Sequence, residues 1–157
     1  MRAAADLTAA RLSAWCDLPG DRSAPALARR WVTAMLASWD LGLSSGERAT
    51  IVGLTSELVT NAVQHAVPAP GSPAGVRVTV RAGRGVVWLA VCDPDPTPPA
   101  VREPDFLAES GRGLYLVQAQ ADRWGSVPHA GGKYVWFSLC CGAARPSPRP
   151  HRFRSVP

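Results

Sequence analysis

The sequence predicts an α+β fold: a two-layer sandwich of a mixed, mainly antiparallel sheet with helices on one face. Three observations predict it. Alternating apolar segments pair into a hairpin at residues 76–81 and 86–92. A second hairpin pairs residues 124–127 with 133–141. Stretches with helical apolar spacing precede the first hairpin and separate it from the second.

The elements follow in order. "RLSAWCDL" alternates loosely and suits an edge strand. In "SAPALARRWVTAMLASWDLGL", Ser23 can cap, Pro25 suits a first turn, and Leu27, Trp31, Met35 and Trp39 recur every four residues. That predicts an amphipathic helix ending near Gly42, with the tryptophan stripe in the core. Ser44 and Glu47 have capping-box spacing and open a second helix running to about Ala66. Its apolar arc, Ile51, Leu54, Thr55, Leu58, Ala62 and Ala66, is wide, so this helix is largely buried. Glu57, Asn61, Gln64 and His65 share its narrow polar side. "VRVTVR", a turn at "AGRG", and "VVWLAVC" form the first hairpin. "DPDPTPPAVREPDF" is a proline-rich loop, and "SGRG" leads into a third helix with Leu114, Val117 and Ala121 inward. "WGSV", a turn at "PHAGG", and "KYVWFSLCC" complete the sheet.

Composition narrows the function classes. The chain has 157 residues, 46% apolar and 18% charged, which suits one folded domain. No apolar run reaches the roughly 20 residues of a membrane helix. Asp6 and Arg11 interrupt the N-terminal segment, so a secretory leader is not expected and the cytoplasm is the expected compartment. Cys16, Cys92, Cys140 and Cys141 have neither metal-site nor disulfide-framework spacing and read as reduced thiols. The net charge of +5 is concentrated after residue 141, in a stretch holding Arg145, Arg149, Arg152 and Arg154 and no acid. The rest carries 13 basic and 12 acidic side chains, so no nucleic-acid-binding face is expected. Only one basic residue is a lysine, Lys133. The expected organisation is an N-terminal extension over 1–22, a catalytic-type domain over 23–141, and a disordered Arg/Pro-rich tail over 142–157.

Three motifs carry chemistry. Glu57 and Asn61 lie one helical turn apart on one side of their helix. An Asn carbonyl is a hard, uncharged ligand suited to Mg²⁺, which keeps several waters and few protein ligands. A carboxylate roughly 5–6 Å further along the helix could accept a proton from a nucleophile approaching a γ-phosphate. Asp93 closes a strand, where a carboxylate accepts the exocyclic amine of adenine and repels the carbonyl of guanine. Gly111, Arg112 and Gly113 precede a helix, where glycine admits phosphate to free amides and a positive dipole end.

In this order the motifs resemble the GHKL (Bergerat-fold) ATPase superfamily, above all its anti-sigma-factor serine kinases of high-GC bacteria. "SELVTNAVQHA" resembles the N-box, "VCDPDPTPP" stands at the G1 box, "ESGRGLYLVQAQADRWG" resembles the G2 box, and "GGKYVWFSL" the closing strands. The likeness covers roughly residues 24–139. It implies ATP and Mg²⁺ as cofactors. Glu57 would be the general base and Asn61 the Mg²⁺ ligand. Asp93 would read adenine, and Gly111, Arg112, Gly113 and Leu114 would contact phosphates. The residue at the His65 position lies near nucleotide in some relatives, and core packing is an equal reading of it. It further implies a protein-serine kinase whose partners are a sigma factor and a STAS-domain anti-anti-sigma protein. Separately, the exposed edge near the N-terminus suits a homodimer. Two departures stand out. The family's G1 box reads D-x-G-x-G, and here Pro94 and Pro96 stiffen the segment instead. A Thr expected beside the adenine-reading Asp is replaced by Tyr134, whose phenol could take over that hydrogen bond. The alternative function is a catalytically weak or inactive protein-binding module of the same fold that sequesters its partner.

Overall fold

The computed structural model describes residues 12–65, 75–99 and 113–142. The elements run β1 (Leu12–Pro19), α1 (Ala24–Ser38), α2 (Ser45–His65), β2 (Gly75–Gly83), β3 (Val86–Asp93), α3 (Gly113–Gln120), β4 (Arg123–His129) and β5 (Gly132–Cys140). The sheet order is β1-β2-β3-β5-β4. Each neighbouring pair is antiparallel. The predicted N-terminal strand is an edge strand, paired from Leu12↔Ala82 to Pro19↔Gly75.

Both hairpins form where alternation predicts them. The β2–β3 turn places Arg84 and Gly85 at φ of 49° and 72°, the two positive values that a two-residue hairpin turn needs. Val76, Val78 and Val80 on β2, Val87, Leu89 and Val91 on β3, and Val135, Phe137 and Leu139 on β5 point inward and are buried. The helices cover that face. α2 brings Ile51, Leu54, Leu58, Val59 and Ala62 into the same core. Its capping box is closed: Ser44 N–H and Oγ each lie 2.8 Å from Glu47 Oε2, and Glu47 N–H donates to Ser44 Oγ at 3.2 Å.

α1 differs from expectation in three respects. Its buried stripe is Ala24, Ala28, Val32 and Leu36, one residue on from the tryptophan stripe. Trp31 and Trp39 are half-buried against the core margin, and Leu27 is exposed. Small alanines let the helix lie close to its neighbours, which the bulkier stripe would prevent. Ser23 makes no side-chain cap, because its hydroxyl and amide both donate to Asp21 Oδ1, at 2.5 and 2.8 Å. The helix stops at Ser38, with Asp40 and Gly42 in the left-handed region behind it.

The opposite sheet face carries no helix among the described residues. Trp15 lies there under the Arg77 guanidinium (4.4 Å), which also chelates Asp17 at 2.7 and 2.9 Å. On the same face Trp88 of β3 and Trp136 of β5 stack with centroids 6.4 Å apart. Among the described residues, no helix is long and apolar enough to cross a membrane.

All four cysteines are thiols. Burial first, then neighbouring Asp17, pushes Cys16 up to about 11; burial, then Glu47, does the same for Cys141. The unfolded thiols ionise near 9.0. The folded state holds more protons between these values, so stability is intact below pH 9.0 and falls as pH rises toward about 11. Urea midpoints measured across that window should decline, and Cys16→Ala with Cys141→Ala should flatten the decline.

Candidate active site

The apolar arc of α2 fixes its rotation against β3, and this turns Glu57 and Asn61 toward the start of α3. Both are half-buried. Gly113, the first residue of α3, is buried directly against them. A Cβ at Gly113 would lie 2.8 Å from Glu57 Oε2 and 3.1 Å from Asn61 Nδ2. Close approach is what requires glycine here. The first amides of α3, which have no partner within the helix, therefore lie beside the α2 carboxylate and carboxamide.

Asp93 ends β3 on the helix-covered face, in line with Val87, Leu89 and Val91. It is 4% exposed, and both its oxygens are engaged. Oδ1 accepts the Asp95 N–H at 2.8 Å. Oδ2 lies 2.8 Å from Lys133 Nζ, directly opposite on β5. Lys133 is itself buried and donates to the Asp95 carbonyl at 2.7 Å, with Asp95 Oδ2 at 3.6 Å. Hydrogen bonds from Thr97 hold the Asp95 carboxyl below its usual range, with Lys133 adding to the effect. Gly132 lets this assembly close, since a Cβ there would overlap the Asp93 carbonyl oxygen and lie 2.9 Å from Pro94 Cα.

Among the residues expected from the sequence, Glu57, Asn61 and Gly113 come together. Asp93 stands at its expected strand end with an added cation. Leu114 is half-buried and packs on the core. Gly111, Arg112 and the side chain of His65 lie outside the described residues, as do Ala66 and residues 143–157. The expectation for Tyr134 is corrected. It points to the opposite sheet face, where it pairs with Cys92 and meets His129 edge-on, with ring centroids 4.8 Å apart. Burial pushes both the Tyr134 phenol and the Cys92 thiol up. The reason is strand parity: Lys133, Val135, Phe137 and Leu139 face inward, so the residue that reaches Asp93 is Lys133. Sequence reasoning missed Lys133 and Asp95 as parts of the site. The signal was available, because Lys133 is the chain's only lysine and occupies the inward phase of an alternating strand.

The donor set fits a Mg²⁺–triphosphate. Asn61 offers an uncharged oxygen ligand, Glu57 a carboxylate one turn away, and Gly113 the space that a side chain would fill. Among the described residues, no group of three or more His, Cys, Asp or Glu side chains could hold a metal.

Comparisons with known proteins bear on the family and the fold. An uncharacterized protein of Streptomyces coelicolor is 43% identical over 72 residues, 45% of this chain and 66% of that protein. The crystal structure of the RsbU and RsbW domains of Rv1364c from Mycobacterium tuberculosis matches with a TM-score of 0.63. The identity is 24%, and the match covers 92% of this chain but only 35% of that one, so it shows a shared fold. Residues 18–139 match the family described as the histidine kinase-like ATPase domain. The chain belongs to that family and, through it, to the GHKL ATPase superfamily.

Proposed function

We propose that this chain binds Mg-ATP between α2 and α3 and transfers the γ-phosphoryl group to a serine of a protein partner, as an anti-sigma-factor-type regulator. The observation that carries the reading is Gly113 seated against Glu57 and Asn61 at the start of α3. Asn61 would hold Mg²⁺, which when bound supplies charge neutralisation at the β- and γ-phosphates. The α3 amides and, in this reading, Gly111 and Arg112 orient the triphosphate. Asp93 accepts a base amine. Glu57 Oε2 accepts the proton that the serine hydroxyl loses as it attacks the γ-phosphorus, while the bond from that phosphorus to the β–γ bridging oxygen breaks and ADP leaves.

The RsbW domain in the matched structure supports a place among anti-sigma-type regulators. The partners proposed are accordingly a sigma factor and a STAS-domain protein, with residues 23–141 as the catalytic unit. The β1 edge, unpaired on its outer side among the described residues, is the proposed homodimer contact. One test decides the nucleotide reading. Calorimetry should detect Mg-ATP binding that weakens at least about tenfold in Asn61→Ala, as a lost metal ligand does. No heat of binding at millimolar ATP would refute it.

The ion pair on Asp93 favours a second reading, a module that sequesters its partner without phosphorylating it. Incubation with γ-³²P-ATP and STAS-domain proteins separates the two, because only the kinase labels the partner.

A further inference from the structure

A lone carboxylate accepts hydrogen bonds and donates none, so it selects a base that presents an amine. Asp93 is not alone. Lys133 Nζ lies 2.8 Å from its Oδ2 and 2.7 Å from the Asp95 carbonyl. An ammonium has three donors; two make these contacts, and the third has only Asp95 Oδ2, 3.6 Å away and beyond hydrogen-bond distance. A carboxylate has about four lone-pair sites, and Lys133 and the Asp95 amide occupy one on each oxygen. Among the described residues, a donor without a short bond and unspent acceptors therefore lie side by side, and Lys133 offsets the charge of Asp93, with the Asp95 carboxylate at its outer side.

The Watson–Crick edge of a purine offers two patterns. A 6-aminopurine has a donor at position 6 and an acceptor at N1; a 6-oxopurine reverses both. Against a lone carboxylate, the 6-oxo group faces negative charge with no donor to meet it. Against the Asp93–Lys133 pair, O6 meets the ammonium and N1–H meets the carboxylate. The 6-aminopurine satisfies the same two groups in the opposite sense. We infer that Lys133 is a specificity-determining residue that makes the base-reading end ambivalent. The site then takes guanosine and inosine triphosphates as well as ATP. This inference rests on the proposed nucleotide site and deepens it.

The test is calorimetric titration of the full chain with Mg-ATP, Mg-GTP and Mg-ITP. Wild type should bind ATP and GTP within about tenfold of each other, and Lys133→Met should widen the ratio at least about tenfold, chiefly by weakening GTP. Preference for ATP above about a hundredfold in wild type would overturn the inference, as would an unchanged ratio in Lys133→Met. The wild-type ratio decides it even if removing the cation from buried Asp93 prevents folding. Failure to bind any of the three nucleotides would refute the nucleotide site itself. An ATP-selective wild type would spare that site and remove only the role of Lys133.

Discussion

Glu57→Gln is expected to abolish phosphoryl transfer while leaving Mg-ATP bound. The substitution keeps the shape of a half-buried side chain whose Oε2 faces Gly113, so α2 and α3 should dock as before. What disappears is the ability to accept a proton. General-base catalysis contributes about 10²–10⁴ in rate, and labelling of the partner should fall by that factor. Affinity for Mg-ATP should change little, since in the proposed site Asn61 and the α3 amides carry the phosphate end. Two measurements on one variant, partner labelling and calorimetry, check the separation. Labelling at the wild-type rate would mean that another group takes the proton.

Gly132→Ala carries the largest expected effect on stability. The added methyl would strike the Asp93 carbonyl and approach Pro94 Cα to 2.9 Å. Both obstacles are backbone, held by the β3–β5 ladder through Asp93↔Lys133, and neither can swing aside. Overpacking of this kind costs about 1–3 kcal/mol, with more where backbone must part. For a domain of this size each kcal/mol lowers the melting temperature by about 2–4 °C. The neighbouring Gly131 provides the control. Its φ is 89° and no atom lies within 4 Å of a built Cβ, so alanine there meets backbone strain without a clash. Thermal melts should rank wild type above Gly131→Ala, and Gly131→Ala above Gly132→Ala. An unchanged melt for Gly132→Ala would mean that the strands are not held together there.

The elements best read from the sequence are those governed by one period. The capping box at Ser44 and Glu47, the wide apolar arc of α2 and both hairpins follow from local spacing alone. The Glu57–Asn61 pair was legible because i, i+4 spacing sets a shared direction. Its meeting with Gly113 was not, because that depends on how α3 docks on α2, which no local spacing sets. The face of α1 misled for a related reason. Bulk suggested Trp31 and Trp39, whereas the helix turned its alanines inward to close the gap to α2. At Asp93, attention to a family Thr pointed to Tyr134. Counting strand parity from Phe137 would have pointed to Lys133.

The burial of Lys133 also gives the protein an internal proteolytic gauge. A protease that cuts after lysine has one target bond in the chain, between Lys133 and Tyr134 inside β5. That bond is out of reach while β5 stays in register between β3 and β4. The cleavage rate with such an enzyme would count how often the closing strand lifts away. A ligand that clamps the Asp93 end should slow the clock, and no label need be attached to read it.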